Sequence, residues 1–337
     1  SQTHGVALKK GVLTDDDAAY EEVQITDTDP IPLDAEILDL SKPGAMAAFG
    51  GNDGASEINI DQSVTPKRSP LPKAPVAGMS QPGPNGPLPI IASDGRTPMQ
   101  VYARPFSNPG AKPMVALLVG GLGLNSKTTN AAIETLPPEV TLSFVPYAKD
   151  LQTWINHARA YGHEVMIEAP LEPFDYPDND TGPQTLLSTA KPDENAKKLN
   201  WLMGRAQGYF GMVNYQGGKF ASSPAASAQL MNALNERGLA FVQDGSASRS
   251  AFANAARAAQ TPFAAADRVV DSQPAAASID EQLLTLEALA LQNGASLGAG
   301  FGYPSTIEKA ATWAQGLASK GYALAPVSAV VKARAQH

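Results

Sequence analysis

The stretch MVALLVGGLGLNSKTT, from Met114 to Thr129, is an apolar run that stops abruptly at glycine residues and gives way to a segment typical of a helix. The apolar residues follow one another without alternation, which predicts a strand at 115–119 that is buried on both faces. Strands of this kind occur in parallel sheets whose crossover connections are helices. The stretch therefore predicts the first strand, turn and helix of an α/β domain.

The glycines of this turn allow two interpretations. Gly121-Leu122-Gly123 followed by Ser126 is one position short of the glycine-rich pattern that binds dinucleotide phosphates. That pattern also requires an acid at the end of the second strand, whereas residues 143–146 read Ser-Phe-Val-Pro. We therefore expect glycines that permit a tight turn, and no nucleotide or other cofactor.

The alternation of short apolar runs and Ala-rich helical segments continues along the rest of the chain. The candidate strands are 115–119, 141–145, 164–168, 211–214, 240–242, 263–266, 296–300 and 322–325. The candidate helices are 126–135, 151–161, 193–206, 224–237, 249–259, 279–292 and 306–320. This alternation predicts an α/β fold, a distorted (β/α) barrel, with a doubly wound sheet as the alternative.

Upstream of this region the composition changes. Residues 1–61 hold thirteen acidic and three basic residues, whereas the remaining residues hold twenty acidic and twenty-two basic ones. Twelve prolines lie between Asp61 and Met114. This composition predicts a long non-globular N-terminal segment, an acidic and then Pro-rich tail and linker, at 1–88. We expect an extended arm at 89–113 that packs on the barrel, and the barrel itself at 114–332.

Composition excludes several classes of function. The chain has no cysteine, which rules out disulfides, thiolate metal sites and cysteine nucleophiles. Its net charge is −8, and it has no basic stripe with interleaved aromatic residues, so we expect no nucleic-acid partner. No stretch reaches the roughly eighteen consecutive apolar residues that indicate a membrane span.

Seven segments occur in an order and at a spacing that can be compared with known families. They are LLVGGLGL, LPPEVTLSFVPYA, ARAYGHEVMIEAPLEP, GPQTLL, GMVNYQGGKF, RGLAFVQDGS and GFGYPSTI. Together they resemble the divergent polysaccharide deacetylases, a branch of the NodB-like carbohydrate esterases, over about residues 87–331. The resemblance implies a distorted barrel of NodB type and a periplasmic location in the cell envelope. It also implies a proline-rich tether, which in proteobacteria often follows an N-terminal membrane anchor; such an anchor would lie upstream of Ser1.

Deacetylases of this type use a divalent metal held by an aspartate after the first strand and by histidines on later loops, but this chain differs at the matching positions. Gly120 and Gly121 stand in place of paired aspartates. Tyr215 replaces the histidine of an Asn-His-x-Gly-Ser motif, and Phe301 that of a late Gly-His pair. Gln243 replaces an acid near the fifth strand. We therefore expect no catalytic residue and no metal, as in a pseudoenzyme.

The carboxyl ends of the strands, where barrel folds place their sites, predict a ligand-binding groove instead. The groove comprises Gly120, Gly121, Glu168, Glu172, Tyr215, Gln216, Asp244 and Phe301. Aromatic residues that can stack on sugar rings follow several strand ends: Tyr147, Phe174, Tyr176, Tyr215, Phe301 and Tyr303. We expect a glycan strand, such as peptidoglycan or another polysaccharide, or an envelope or cell-wall protein as the partner. The alternative is an active deacetylase or hydrolase with rearranged carboxylate ligands: Glu168, Glu172 and Asp244.

Structural roles remain open for the same carboxylates. Glu168, predicted to end the third strand, is alternatively a solvated loop acid, and Glu172 a brace of the following loop. Asp244 is alternatively the cap of the helix that begins near Arg249. His163 is predicted at the amino end of the third strand, the end of a barrel that serves stability, so we expect a packing or hydrogen-bonding residue there.

Overall fold

The structure, a computed structural model, describes residues 67–336 together with the backbone of two short segments further upstream. In those segments, strand β1 (Thr3–Leu8) pairs antiparallel with strand β2 (Glu22–Thr26). This pairing differs from the non-globular segment that the sequence predicts; both strands contain Val and Thr, which favour extended structure. The rest of the predicted tail up to residue 66 lies outside the described residues.

Nine strands form one sheet in which every hydrogen-bonded pair is parallel. They are β5 (Met114–Leu122), β6 (Thr141–Phe144), β7 (Val165–Leu171), β8 (Gly211–Gln216), β9 (Ala240–Gln243), β10 (Phe263–Ala265), β11 (Arg268–Val269), β12 (Ala295–Phe301) and β13 (Ala323–Leu324). Their order is β10-β9-β8-β7-β6-β5-β12-β11, and β13 also pairs with β5. All eight predicted strands are confirmed, and β11 was not predicted.

Helices connect these strands. They are α2 (Ser126–Thr135), α3 (Leu151–Ala160), α4 (Pro192–Met203), α5 (Gly218–Ala221), α6 (Pro224–Glu236), α7 (Phe252–Ala259), α8 (Ala276–Asn293), α9 (Pro304–Leu317) and α10 (Val327–Ala335). The seven predicted helices are confirmed, with ends displaced by up to three residues. The short strands β3 (Ser80–Gln81) and β4 (Leu88–Pro89) and the short helix α1 (Pro98–Tyr102) precede the sheet.

The sheet curls into a distorted barrel. Its two edge strands, β10 and β11, follow each other directly in the sequence, so the two edges must lie close together. β10 ends at Ala265 as the partner of β9, and β11 begins at Arg268 as the partner of β12. Consecutive Cα atoms are about 3.8 Å apart, so three peptide steps bring the two edges within about 11 Å of each other. The predicted barrel is therefore confirmed, and the doubly wound alternative, an open sheet with separated edges, is wrong.

Strand β5, formed by the opening stretch, buries both of its faces. Val115, Leu117 and Val119 belong to a core between the sheet and the helices, whereas Ala116 and Leu118 belong to a second core inside the barrel. Successive side chains of a strand point to opposite faces, so a strand between two cores is apolar at every position. This is the physical reason for the unbroken apolar run in the sequence.

Helix α10 closes the amino end of the barrel. Val327, Val330 and Val331 are fully buried in the inner core. The first turn of α10 lies against Glu164, just before β7, whose carboxylate accepts hydrogen bonds from the backbone N–H and the hydroxyl of Ser328. The opposite, carboxyl end of the barrel therefore remains as the place for a pocket.

Residues 67–88 pack against the barrel, whereas the sequence places them in the linker. The guanidinium of Arg68 donates hydrogen bonds to the carbonyls of Ile133 and Tyr161, at the C-terminal ends of α2 and α3. Leu71 and Met79 are buried. The apolar residues between the prolines are thus buried against the barrel, and this segment is part of the folded domain.

Residues 89–113, the predicted arm, run along the same side and contain α1. Met99 and Tyr102 are buried there. The fully buried Arg159 of α3 donates hydrogen bonds to the carbonyls of Pro72 and Tyr102, both at 2.9 Å, and so joins the arm to the preceding segment.

None of the helices in the described part of the chain is long and apolar enough to cross a membrane.

Candidate functional site

A pocket opens at the carboxyl ends of the barrel strands. The cavity itself is small, with a volume of about 30 Å³, and the space in front of it opens to solvent. Its wall consists of Leu118, Gly120, Ser143, Glu168, Val213, Asn214, Tyr215, Asp244, Val269, Ala299, Gly300 and Phe301. Five of the eight predicted groove residues are therefore brought together: Gly120, Glu168, Tyr215, Asp244 and Phe301.

Glu168 is the most buried charged side chain of this wall. It lies within β7 and not at its end, as the sequence predicts, because the strand continues to Leu171 alongside β8. Its Oε1 atom accepts a hydrogen bond from the backbone N–H of Gly121 at 2.6 Å and another from the hydroxyl of Ser143 at 3.1 Å. With an exposed fraction of 4%, Glu168 is not a solvated loop acid.

Gly120 makes room for this arrangement. A Cβ atom at this position would lie 2.6 Å from Ser143 Oγ and 2.7 Å from Glu168 Oε1, closer than real Cβ contacts. Gly121 follows with φ of +70°, a conformation that favours glycine, and its N–H points at the glutamate. Gly120 therefore leaves space for the carboxyl group of Glu168, and Gly121 binds it. The N–H of Gly121 is consequently not available to a phosphate.

The carboxyl group of Glu168 is only half satisfied. Its second oxygen, Oε2, is buried and has no hydrogen-bond partner among the described residues. Burial raises the pKa of Glu168 to about 7; the hydrogen bonds from Gly121 and Ser143 oppose this rise, and the charge of Asp244 adds to it. A carboxyl group with a pKa near neutrality in a pocket marks a candidate functional residue.

Asp244 lies on the same wall and is held by the loop that follows β9. Its Oδ1 atom accepts hydrogen bonds from the backbone N–H and hydroxyl of Ser246, at 2.9 and 2.6 Å, and from Asn214 Nδ2 at 3.1 Å. Burial raises its pKa. The interpretation of Asp244 as a helix cap is wrong, because α7 begins only at Phe252 and its first N–H bonds to Ser250.

Aromatic side chains form the facing part of the pocket. The rings of Tyr215 and Phe301 meet edge to face with centroids 6.4 Å apart, and Phe301 also contacts Tyr303. Burial raises the pKa of Tyr215, so its hydroxyl stays protonated. The pocket thus combines apolar walls with a few polar groups, as small-molecule sites commonly do.

Three predicted groove residues lie outside the pocket wall. Gly121 contributes only its N–H. Gln216 exchanges side-chain hydrogen bonds with Asn179. Glu172 accepts two hydrogen bonds from Ser188 and pairs with Lys219 at 3.0 Å; burial would raise its pKa, but these contacts outweigh burial and lower it. Glu172 is therefore the loop brace that the sequence left open.

Asp271 is a buried neighbour of the pocket that the sequence did not single out. Its Oδ2 atom accepts hydrogen bonds from the backbone N–H of Phe301 at 2.7 Å and from the hydroxyl of Thr306 at 2.8 Å. It fixes the backbone that carries the aromatic wall. In the sequence, Asp271 could have been recognised as an acid directly after the apolar pair Val269-Val270. The strand there, β11, is however too short to be predicted.

The histidines of the barrel lie away from the pocket. His163 is fully buried at the amino end of β7, with its ring nitrogens 2.7 and 2.9 Å from the carbonyl oxygens of Val140 and Ile133. Burial lowers its pKa to about 4. The expected packing and hydrogen-bonding role is confirmed. His157 lies on α3, 3.6 Å from Glu134.

The side chains of the pocket do not fit a divalent metal. Within residues 67–336, no three His, Cys, Asp or Glu side chains lie close enough together to hold an ion. The two carboxyl groups of the wall, Glu168 and Asp244, each have one oxygen engaged by protein donors. Catalytic metals in proteins are usually held by three such side chains, and the wall supplies no histidine.

A parallel (β/α) barrel with a polar pocket at the carboxyl ends of its strands has the architecture of barrel enzymes. The model of one family, the divergent polysaccharide deacetylases, matches residues 117–331, which include the whole pocket wall. The chain therefore belongs to this family.

One solved structure and two curated proteins, each described as uncharacterized, are similar to this chain. A crystal structure of a protein from Agrobacterium tumefaciens C58 superposes with a TM-score of 0.71 at 38% identity, covering 73% of this chain and 99% of that one. A protein of Haemophilus influenzae is 23% identical over 200 residues, 58% of this chain and 69% of its own length. Escherichia coli YibQ is 22% identical over 202 residues, 60% of this chain and 62% of its own length.

Proposed function

We propose that this protein binds a glycan of the cell envelope, peptidoglycan or another polysaccharide, in the carboxyl-end pocket without metal-dependent catalysis. Membership of a polysaccharide deacetylase family supports a glycan as the ligand. The observation that carries the proposal is the buried Glu168, with one unpartnered oxygen, in a pocket walled by Tyr215 and Phe301. Aromatic rings offer flat apolar surface to sugar rings, and a buried polar atom without a partner needs a ligand group.

The chemistry of deacetylation explains why catalysis is not part of the proposal. A catalytic metal lowers the pKa of its bound water from 15.7 to about 7, which amounts to roughly 12 kcal/mol of help in forming the nucleophile. Tyr215 and Phe301, at the positions of the expected histidines, supply neither a metal ligand nor a proton carrier near neutral pH. We therefore propose that the metal ligands of the family are lost in this chain.

Metal analysis and binding measurements test the proposal together. The purified protein should carry no stoichiometric zinc, cobalt or manganese, should release no acetate from N-acetylglucosamine tetramers or peptidoglycan, and should bind one of these glycans in calorimetry. Phe301→Ala should weaken binding, whereas Leu291→Ala, which removes a 68% exposed side chain of α8, should not. Stoichiometric metal that disappears in Glu168→Ala or Asp244→Ala would overturn the proposal.

A second candidate, a hydrolase that uses carboxyl groups, rests on one observation. Glu168 and Asp244 line the same pocket, and burial raises the pKa of both. Two carboxyl groups in different states of protonation can act as acid and base. Product release from a glycan that persists in the presence of a chelator and disappears in Glu168→Gln would favour this candidate over simple binding.

The cellular part of the proposal is a periplasmic location, with an envelope protein as a second partner. Its support is the family membership and the polysaccharide chemistry of the envelope. A reporter fused to the full-length protein, active only outside the cytoplasm, should be active. Recovery of the native protein from the cytoplasm alone would contradict this part and leave the pocket chemistry to be judged separately.

A further inference from the structure

We propose that Glu168 binds its ligand as the neutral acid and donates a hydrogen bond from Oε2 to a carbonyl oxygen of the ligand, so that it determines specificity. The inference rests on the proposed glycan binding and adds the residue, the atom and the protonation state. On a glycan, an acetamido group offers such an oxygen, whereas the corresponding free amine does not.

The first step is the position of the proton. Oε1 of Glu168 faces two donors, the N–H of Gly121 and the hydroxyl of Ser143. An oxygen that accepts two hydrogen bonds has no room for a proton of its own, so the proton of the neutral acid lies on Oε2. Oε2 then carries an O–H donor with no acceptor among the described residues.

The second step is the charge around this group. The lining residues of the pocket include no Lys, Arg or His, so no cation of the wall stabilises an ionised Glu168. The titratable groups that face it are Asp244 from the end of β9, Tyr215 from β8 and, next to Tyr215, Tyr303. Burial disfavours a negative charge on Glu168, and the charge of Asp244 disfavours it further. Both effects favour the neutral acid.

The third step is the ligand group that completes the site. A neutral acid in this position is a donor, and the matching partner is an acceptor oxygen. An ammonium group would instead require the ionised form. A pocket with Glu168 in its wall thus binds N-acetylated sugars in preference to the corresponding free amines, because only the acetylated sugar accepts this hydrogen bond. Binding of the acetylated sugar should weaken as Glu168 ionises.

Calorimetric titration with the N-acetylglucosamine tetramer and the glucosamine tetramer tests this assignment. Because the pKa of Glu168 is about 7, the acetylated tetramer should bind about tenfold more weakly at pH 8 than at pH 6. Glu168→Gln keeps an N–H donor at the place of the O–H, so it should bind with the affinity of the native protein at pH 6 and lose the pH dependence. Asp280→Asn, an exposed charge change on α8, should retain the native profile.

The outcomes separate the two levels of the proposal. Failure of both tetramers and of peptidoglycan to bind would overturn the glycan function. Binding of the acetylated tetramer with an affinity that is equal at pH 6 and pH 8 would retain the glycan function and overturn the role of Glu168. Tighter binding of the glucosamine tetramer at pH 8, or loss of binding in Glu168→Gln as large as in Glu168→Leu, would also overturn that role.

Discussion

Two buried glutamates, one just before β7 and one within it, illustrate how this barrel divides its tasks. Glu164 precedes β7 and Glu168 lies four residues further on; both are buried, and burial raises the pKa of both. Glu164 accepts four hydrogen bonds, from the backbone N–H of Arg104, the hydroxyl of Thr141, and both the N–H and hydroxyl of Ser328. Glu168 accepts two, both at one oxygen.

The difference separates a structural carboxyl group from one that awaits a partner. Glu164 joins the arm, β6 and α10 at the amino end of the barrel, and each of its oxygens has two donors. Glu168 keeps an unpartnered oxygen at the carboxyl end. Buried polar groups are nearly always satisfied, so an exception in the wall of a pocket indicates where a ligand completes the structure.

The largest effect that this comparison predicts is on stability. Glu164→Ala leaves four donors without their acceptor, and the free energy of unfolding should fall by about 4 kcal/mol. Glu168→Ala removes an acceptor from only two donors and should cost about 2 kcal/mol. Urea unfolding of both variants at pH 7 measures the difference. Equal losses would show that the two carboxyl groups do not differ in the way described.

The next effect concerns stability against pH. Glu168 has a pKa of about 7 in the folded protein and 4.5 as its ordinary value, so the folded state binds the proton more tightly. Stability should therefore fall as pH rises from 4.5 to 7 and stay level above, by about 3 kcal/mol from this group. Glu168→Gln lacks this loss and should be more stable than the native protein at pH 8 but not at pH 4.5.

Unfolding curves of the two proteins across this range provide the measurement. Glu164, whose pKa is also raised by burial, titrates in both proteins and cancels in the difference. A difference that grows as pH falls would have the wrong sign and would place the proton elsewhere.

A third effect tests the space around Glu168. Gly120→Ala places a Cβ atom against Ser143 Oγ and Glu168 Oε1, so the carboxyl group must leave its position. We expect a loss of stability of about 1–2 kcal/mol and weaker glycan binding. Gly316→Ala in α9 is the matched control, because its Cβ meets no atom within 4 Å and alanine favours helices. Similar binding by the Gly120 and Gly316 variants would show that the geometry of Glu168 does not matter to the ligand.

The pattern of apolar residues in the sequence was sufficient to predict the alternating strands and helices of this fold. The unbroken apolar run of β5 predicted a strand between two cores, and the structure contains both. Helix α10 was not predicted because VSAVVKARA combines β-branched and small residues without a helical stripe, and tertiary packing against the inner core decides its conformation. β11 has only two residues and gives no periodic signal.

The candidate site was predictable as a list of strand ends but not as a set of contacts. Glu168 was selected, yet its donors Gly121 and Ser143 lie 47 and 25 residues away in the sequence, and only the barrel brings them together. Glu172 was selected by the same reasoning, but its partners Ser188 and Lys219 make it a brace. Sequence alone does not show which of two nearby acids is left with an unpartnered oxygen.

The smallest predicted effects adjust the pKa of Glu168 in opposite directions. Ser143→Ala removes a hydrogen bond that lowers this pKa, so the midpoint of the pH-dependent loss of stability should move upward. Asp244→Asn removes a negative charge that raises it, so the midpoint should move downward. Each shift should be less than about one pH unit, because single hydrogen bonds and partly screened charges contribute on that scale. Disappearance of the transition in Asp244→Asn, with the transition retained in Glu168→Gln, would assign the neutral acid to Asp244 and place the ligand's carbonyl group against the β9 side of the pocket.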